Sequence, residues 1–274
     1  METIIVPTDF SAPAANATEY AVELAKFFDA SLVLVNAYPL PTVAYEAPYV
    51  IESVTDIQKV SQEKLENLKK ELLVKYGNGM KIHCYSDMGT PFDVITSADK
   101  EFKADLIVMG IVGEAGSIKE RIIGSNAVSV ARKIETPTFI IPENVKYKRI
   151  RKIAFACDLN KTEETDLVFV AKFFSKVFDA ELEIVNVGAV EEEVTVEKAA
   201  TYLYVEQKLE NVKHQTTHIV GDDVGAELED YFNEHPTDLV MMNPKKHNIF
   251  YYLFHNSVTN SMAFHTKLPL LTIH

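Results

Sequence analysis

The sequence predicts an α/β protein: two tandem, doubly wound, five-stranded parallel-sheet domains, residues 1–145 and 146–274. Three observations lead there. The chain has 274 residues, close to twice the size of an ordinary domain. It also repeats itself in order. Residues 4–37 and 153–187 each give an apolar run ending in Asp, a helical pattern, the triplet Phe-Asp-Ala, and a second apolar run ending in Val-Asn or Val-Asn-Val. Asp9 thus matches Asp158 and Asn36 matches Asn186; further on, ADLIVMG (104–110) matches TDLVMMN (237–243) and TPTFII (136–141) matches LPLLTI (268–273). Third, strand-length apolar runs alternate with longer helical patterns throughout, which is the signature of right-handed βαβ units with helices on both faces of a parallel sheet.

The elements of the first copy follow in order. Ile4–Pro7 is a continuous apolar run, as expected of a strand buried on both faces. Ser11 and Pro13 suit an N-cap and a first helical turn, and Ala14, Thr18, Ala21, Ala25 and Phe28 continue at helical spacing. Leu32–Val35 is the second strand. Val54, Ile57, Val60, Leu65, Leu68 and Leu72 mark a second helix that Gly77 can stop. Met80–Tyr85 is a third strand, Pro91–Phe102 a third helix, Leu106–Met109 a fourth strand, Ser125–Ile134 a fourth helix and Thr138–Ile141 a fifth strand. The second copy repeats this order. The segment Tyr38–Glu52, with three prolines, is long for a connection and reads as a lid or a partner surface.

Composition narrows the function classes. The net charge is −13, spread over both halves: residues 1–145 hold 13 basic and 20 acidic side chains, and the remainder 14 and 20. An acidic chain is repelled by phosphate backbones and anionic lipid, so neither nucleic acid nor membrane is an expected partner. The basic run 146–152 reads as a solvated linker. Two cysteines, Cys84 and Cys157, exclude a disulfide scaffold and are read as small buried hydrophobes. No apolar stretch is long enough to span a bilayer, and the N-terminus enters a strand without a basic leader, so a cytoplasmic location is expected.

Ligands of an open α/β sheet bind beyond the carboxyl ends of the strands, at the point where the strand order reverses. The residues there are Pro7-Thr8-Asp9 after the first strand, Asn36-Ala37 after the second, and Met109-Gly110-Ile111-Val112-Gly113 after the fourth, with Gly124-Ser125-Asn126 opening the fourth helix. Gly110 and Gly113 would let backbone approach a ligand closely. Gly124-Ser125-Asn126 would offer N–H groups and a hydroxyl at a helix N-terminus, where anions are favoured. Asp9 is an acceptor for an adenine amino group or a ribose hydroxyl. On spacing alone, plain turn and capping roles are the leading reading, with ligand binding the alternative. Neither a Walker A loop nor a GxGxxG fingerprint is present.

The pattern resembles the universal stress protein family over essentially the whole chain, as two copies. Nucleotide-binding members carry Gly, two residues, Gly, nine residues, then Gly-Ser or Gly-Thr; here Gly110 and Gly113 match, and Gly124-Ser125 follow after ten residues. The resemblance implies a fold of the adenine-nucleotide α-hydrolase type and ATP or AMP as ligand, with or without Mg²⁺. It also implies at most slow hydrolysis and a nucleotide-dependent role in stress survival. It places Asp9, with the Thr8 and Ala37 backbone, at the base and ribose. Pro7 and Met109 would border the pocket, Gly110 and Gly113 would lie near ribose and phosphates, and Gly124, Ser125 and Asn126 would hold the phosphates. It implies pairing of two such folds through the fifth strand. Thr138–Ile141 and Leu270–Ile273 would make that pair within one chain as an internal pseudo-dimer, with a homodimer as a further option.

The second copy departs from the pattern. Met242-Asn243-Pro244-Lys245-Lys246 and, nine residues on, Asn256-Ser257 replace all three glycines. That copy is therefore expected not to bind nucleotide in the family manner, with a phosphate grip by Lys245 and Lys246 as the weaker option. Other constellations give less. His247, His255 and His265 have no placed carboxylate partners for a metal. His214 and His218 read as straddling a helix end and a strand, and Asp222-Asp223 as an N-cap. No residue stands out as a nucleophile or general base, so an enzyme is not expected. The alternative reading is an interaction or scaffold protein of the same family that binds no nucleotide and recognises a protein the sequence does not identify.

Overall fold

A computed structural model describes residues 1–39, 50–111, 125–157, 162–188, 196–221, 224–244 and 268–274. The chain divides into two compact units, one of residues up to Tyr147 and one from Lys148 onward. The division falls inside the basic linker, two residues beyond the expected boundary.

In the first unit, β1 (Thr3–Pro7), β2 (Ser31–Tyr38), β3 (Ile82–Met88), β4 (Leu106–Ile111) and β5 (Thr138–Pro142) alternate with α1 (Ala12–Phe28), α2 (Val50–Tyr76), α3 (Pro91–Phe102) and α4 (Ser125–Lys133). All strand pairs are parallel, in the order β3-β2-β1-β4-β5. β1 and β4 are therefore neighbours whose outgoing connections run to opposite sides, and a crevice opens between their carboxyl ends. Ile4, Ile5 and Val6 are fully buried, as are Leu32–Leu34 and Leu106–Val108, so successive side chains on both faces of these strands are covered.

The local signals act as capping chemistry predicts. Ser11 is the N-cap of α1, its Oγ accepting from Ala14 N–H at 3.4 Å, with a proline in the first turn. Gly77 ends α2 with φ +106°. Asp29 ends α1 in the left-handed region, φ 53°, and Asp179 takes the same φ in the second unit, which explains why the Phe-Asp-Ala triplet recurs.

The second unit has β6 (Lys152–Ala156), α5 (Thr162–Phe178), β7 (Glu181–Gly188), α6 (Val196–Lys208), β8 (His214–Val220), α7 (Val224–Glu234), β9 (Leu239–Met242) and β10 (Leu270–Thr272). Its strands are again all parallel, in the order β8-β7-β6-β9-β10, which is the same topology. The repeat extends to a strand-start clamp. Asp105 Oδ2 accepts from the N–H groups of Glu2 and Thr3 at 2.6 and 3.1 Å, and Asp238 Oδ2 accepts from those of Arg151 and Lys152 at 2.9 and 3.0 Å.

Several expectations are corrected. β4 runs through Gly110 to Ile111, paired with Ile141 and Pro142, so Gly110 is a strand residue rather than a loop residue. β3 begins at Ile82, not Met80. Cys84 on that strand is half-buried rather than core, because β3 is the outermost strand of its unit; burial, then the Glu66 carboxylate, pushes its thiol up to about 11. Val60 is half-exposed, and Ser61 takes the buried position beside it, in line with the expected Leu65 and Leu72. His214 and His218 both lie on β8. The Tyr38–Glu52 segment lies mostly outside the described residues, and Asp222-Asp223, Lys245, Lys246, His247, His255, Asn256 and His265 lie wholly outside them.

Candidate functional site

The chain turns sharply as it leaves β1. Thr8 N–H closes the β1–β2 ladder on Val35 O at 2.8 Å. Thr8 Oγ1 then accepts from Phe10 N–H, and Asp9 Oδ1 from Ser11 N–H, both at 3.0 Å. These two side-chain turns hold Phe10 at φ 65°, a left-handed backbone unusual for a bulky residue. The Lys64 ammonium sits over the Phe10 ring at 5.4 Å. Asp9 itself is exposed, and its Oδ2 has no partner among the described residues.

β2 contributes Asn36 and Ala37 beside this turn. Asn36 is nine-tenths buried and fully engaged: its Nδ2 donates to Thr8 O at 2.7 Å and its Oδ1 accepts from Ser61 Oγ at 2.6 Å. On the other side of β1, β4 brings Met109, Gly110 and Ile111. A Cβ on Gly110 would stand 2.2 Å from Pro13 O and 2.5 Å from Pro13 C. Here the glycine admits the first turn of α1 against the strand, a packing reason that spacing alone could not separate from approach to a ligand.

These pieces enclose a cleft of about 170 Å³ at the carboxyl edge of the sheet. It is lined by Pro7, Thr8, Asp9, Ala37, Met109, Gly110 and Asn126, which are seven of the ten expected site residues. Of the remaining three, Gly113 and Gly124 lie outside the described residues, and Ser125 begins α4 with its side chain likewise outside them.

The sequence reading missed a wall. Pro91 and Ile95 of α3 and Ala127 of α4 also face the cleft. α3 is capped by Thr90, whose Oγ1 accepts from Asp93 N–H at 3.2 Å and donates to Asp93 Oδ2 at 2.6 Å. The signal for Pro91 was there, since a Thr-Pro pair opening a helix at this edge must lie near the crevice. Residues from the first turns of α1 (Pro13, Ala14), α3 (Pro91) and α4 (Asn126, Ala127) therefore converge on one cleft. Helix N-termini carry partial positive charge, so the cleft favours an anion at that end. Its other end, at Asp9, favours hydrogen-bond donors. The lining is mostly apolar between them. That is a place for a flat, neutral body with one donor-bearing edge and one anionic arm.

The second unit differs at the matching positions. Cys157 stands where Thr8 does, buried, with its N–H on Val185 O at 3.0 Å. Buried Asn243 stands where Gly110 does.

A sequence model described as the Universal stress protein family matches residues 1–142. The chain belongs to the universal stress protein family. Universal stress protein MJ0531 of Methanocaldococcus jannaschii is 31% identical to it over 144 residues, which are 52% of this chain and 83% of that protein. Among solved structures, a universal stress protein from Archaeoglobus fulgidus matches with a TM-score of 0.69 at 18% identity, covering 99% of this chain and 97% of its own. The functionally unknown protein PA1789 of Pseudomonas aeruginosa matches with a TM-score of 0.56 at 10% identity, covering 100% and 92%. At such identities the likeness is one of fold. It extends over both units of this universal stress protein, whereas the family model covers the first. No helix among the described residues is long and apolar enough to cross a membrane.

Proposed function

We propose that the first unit binds an adenine nucleotide, ATP or AMP, in the cleft between β1 and β4. On this reading the chain acts as a nucleotide-dependent regulator rather than an enzyme. The observation that carries it is the convergence of seven expected site residues on one cleft with an acceptor at one end and helix N-termini at the other. Asp9 Oδ2 takes a ribose hydroxyl or the adenine amino group, and the Thr8 and Ala37 backbone flanks the base. Met109 and Ile95 supply apolar contact, and Asn126 with its helix N-terminus faces the phosphates; Gly113, Gly124 and Ser125 complete that end. Mg²⁺, where present, is held by the phosphates, since among the described residues no three His, Cys, Asp or Glu side chains stand together.

The second unit has Cys157 and Asn243 in place of Thr8 and Gly110, and on this reading it does not take nucleotide in the same manner. A second reading, a family member that recognises a protein and no nucleotide, is favoured by one observation: the missing Cβ of Gly110 is accounted for by the Pro13–Ala14 backbone.

Incubation of the full chain with radiolabelled ATP separates these readings. Recovery of bound, unhydrolysed ATP, weakened at least tenfold by Asp9→Ala, supports the proposal. No retained label supports the second reading, and repeated turnover to ADP contradicts the non-enzymatic part.

A further inference from the structure

At one wall of the cleft, which Asn36 lines, a chain of hydroxyls and one carboxamide connects α2 to the end of β1. Ser61 of α2 donates from Oγ to Asn36 Oδ1 at 2.6 Å, and the Ser61 and Ser86 hydroxyls are 2.6 Å apart. Asn36 Nδ2 donates to Thr8 O at 2.7 Å. Thr8, Asn36 and Ser61 are 6, 9 and 4% exposed, so no bulk water competes for these bonds. The direction of the chain is fixed by its end. A carbonyl oxygen only accepts, so Asn36 must turn its nitrogen to Thr8 and its oxygen to Ser61. Ser61 then spends its proton on Asn36 and takes one from Ser86.

The second unit is an internal control. Asn186 occupies the same strand position, and His218 is its partner on β8 as Ser86 is the partner of Asn36 on β3. There the carboxamide nitrogen lies 3.1 Å from His218 Nδ1, and Oδ1 is buried without a partner among the described residues. Among the described residues, the same asparagine is anchored to a helix in the first unit, and no such bond is made in the second. The unit with the anchor is the one whose Thr8 and Asp9 are proposed to meet a ligand.

We infer that Ser61 and Asn36 are positioning residues for the base-binding end of the cleft: Ser61 orients the Asn36 carboxamide, which holds the Thr8 carbonyl and so the Thr8–Asp9 turn in register for the base and ribose. This rests on the nucleotide reading above. Asn36 lines the cleft, whereas Ser61 is not among the lining residues and acts through Asn36. Their effect belongs to the base end rather than to the α4 end proposed to hold the phosphates.

The test uses the full chain and displacement of a fluorescent ATP analogue, with adenosine and inorganic triphosphate as competitors. Ser61→Ala is expected to weaken adenosine roughly tenfold while leaving triphosphate within twofold of wild type. Ser61→Thr, which keeps the hydroxyl, recovers most of the loss. Ser86→Ala, which leaves the Ser61–Asn36 bond in place, has the smaller effect. Unchanged adenosine affinity in Ser61→Ala overturns the inference and leaves the nucleotide reading intact. An equal loss for both competitors overturns it too, as the mark of a general structural defect. Failure of the wild-type chain to bind the analogue removes the reading on which the inference stands, and the inference with it.

Discussion

A methyl group at position 110 has nowhere to go. The obstacle is the Pro13 carbonyl, 2.2 Å from where a Cβ would sit, and backbone in the first turn of a packed helix cannot swing aside as a side-chain tip could. Gly110→Ala is therefore expected to cost about 1–3 kcal/mol, the usual range for overpacking a filled interior. A shift in the urea midpoint at unchanged slope measures it; an unperturbed midpoint would contradict the packing reading. Charged residues give a second test at this scale. Burial pushes the Asp238 carboxyl up, but the Lys148 ammonium at 2.8 Å and the N–H groups of Arg151 and Lys152 outweigh it and hold it below the ordinary carboxylate value. A depressed folded-state value means that its stabilisation is complete above the unfolded value of about 4 and fades as pH falls through the folded one. Asp238→Asn should thus be less stable than wild type at pH 7, and the gap should close below about pH 4. A gap constant with pH would contradict this.

Among the elements, α3 shows why some boundaries could be read directly. Thr90 offers an N-cap hydroxyl, Pro91 a first-turn residue without a needed N–H, and Lys103 a left-handed C-cap, so the helix runs over the predicted Pro91–Phe102. Thr90→Ala is expected to cost about 1 kcal/mol in thermal or urea unfolding. A loss below a few tenths would mean that the cap is redundant. β4 was read too short because a glycine after four apolar residues looks like a turn; only the approach of α1 reveals it as a strand residue. One position of α2 was misread for a related reason. Val60 is apolar and exposed, while Ser61 is polar and buried, and Ser61 earns its place only through Asn36 on a strand 25 positions away in sequence. Hydrophobic periodicity cannot see a buried hydrogen bond across such a distance. For the same reason Asn36 was visible as a repeated residue but not as the support of Thr8, and α3 was visible as a helix but not as a cleft wall. The strand ends themselves were legible, because the parallel βαβ order alone dictates which residues meet at the crevice.

Across the whole molecule, one fold occurs twice with the same strand order and the same aspartate clamp, but with different residues at the crevice. Thr8, Asn36 with its Ser61 anchor, and Gly110 in the first unit correspond to Cys157, Asn186 and Asn243 in the second. The core positions kept their apolar character in both copies, since a sheet buried on two faces demands it irrespective of function. The crevice positions did not, and that asymmetry is the central claim: one unit binds an adenine nucleotide, and the other shares the fold without the site. Isothermal titration of the full chain with ATP and with AMP, in Mg²⁺, tests it most directly. The account predicts one site per chain, abolished or weakened at least tenfold by Asp9→Ala. Two equivalent sites per chain, or a single site indifferent to Asp9→Ala, would contradict it.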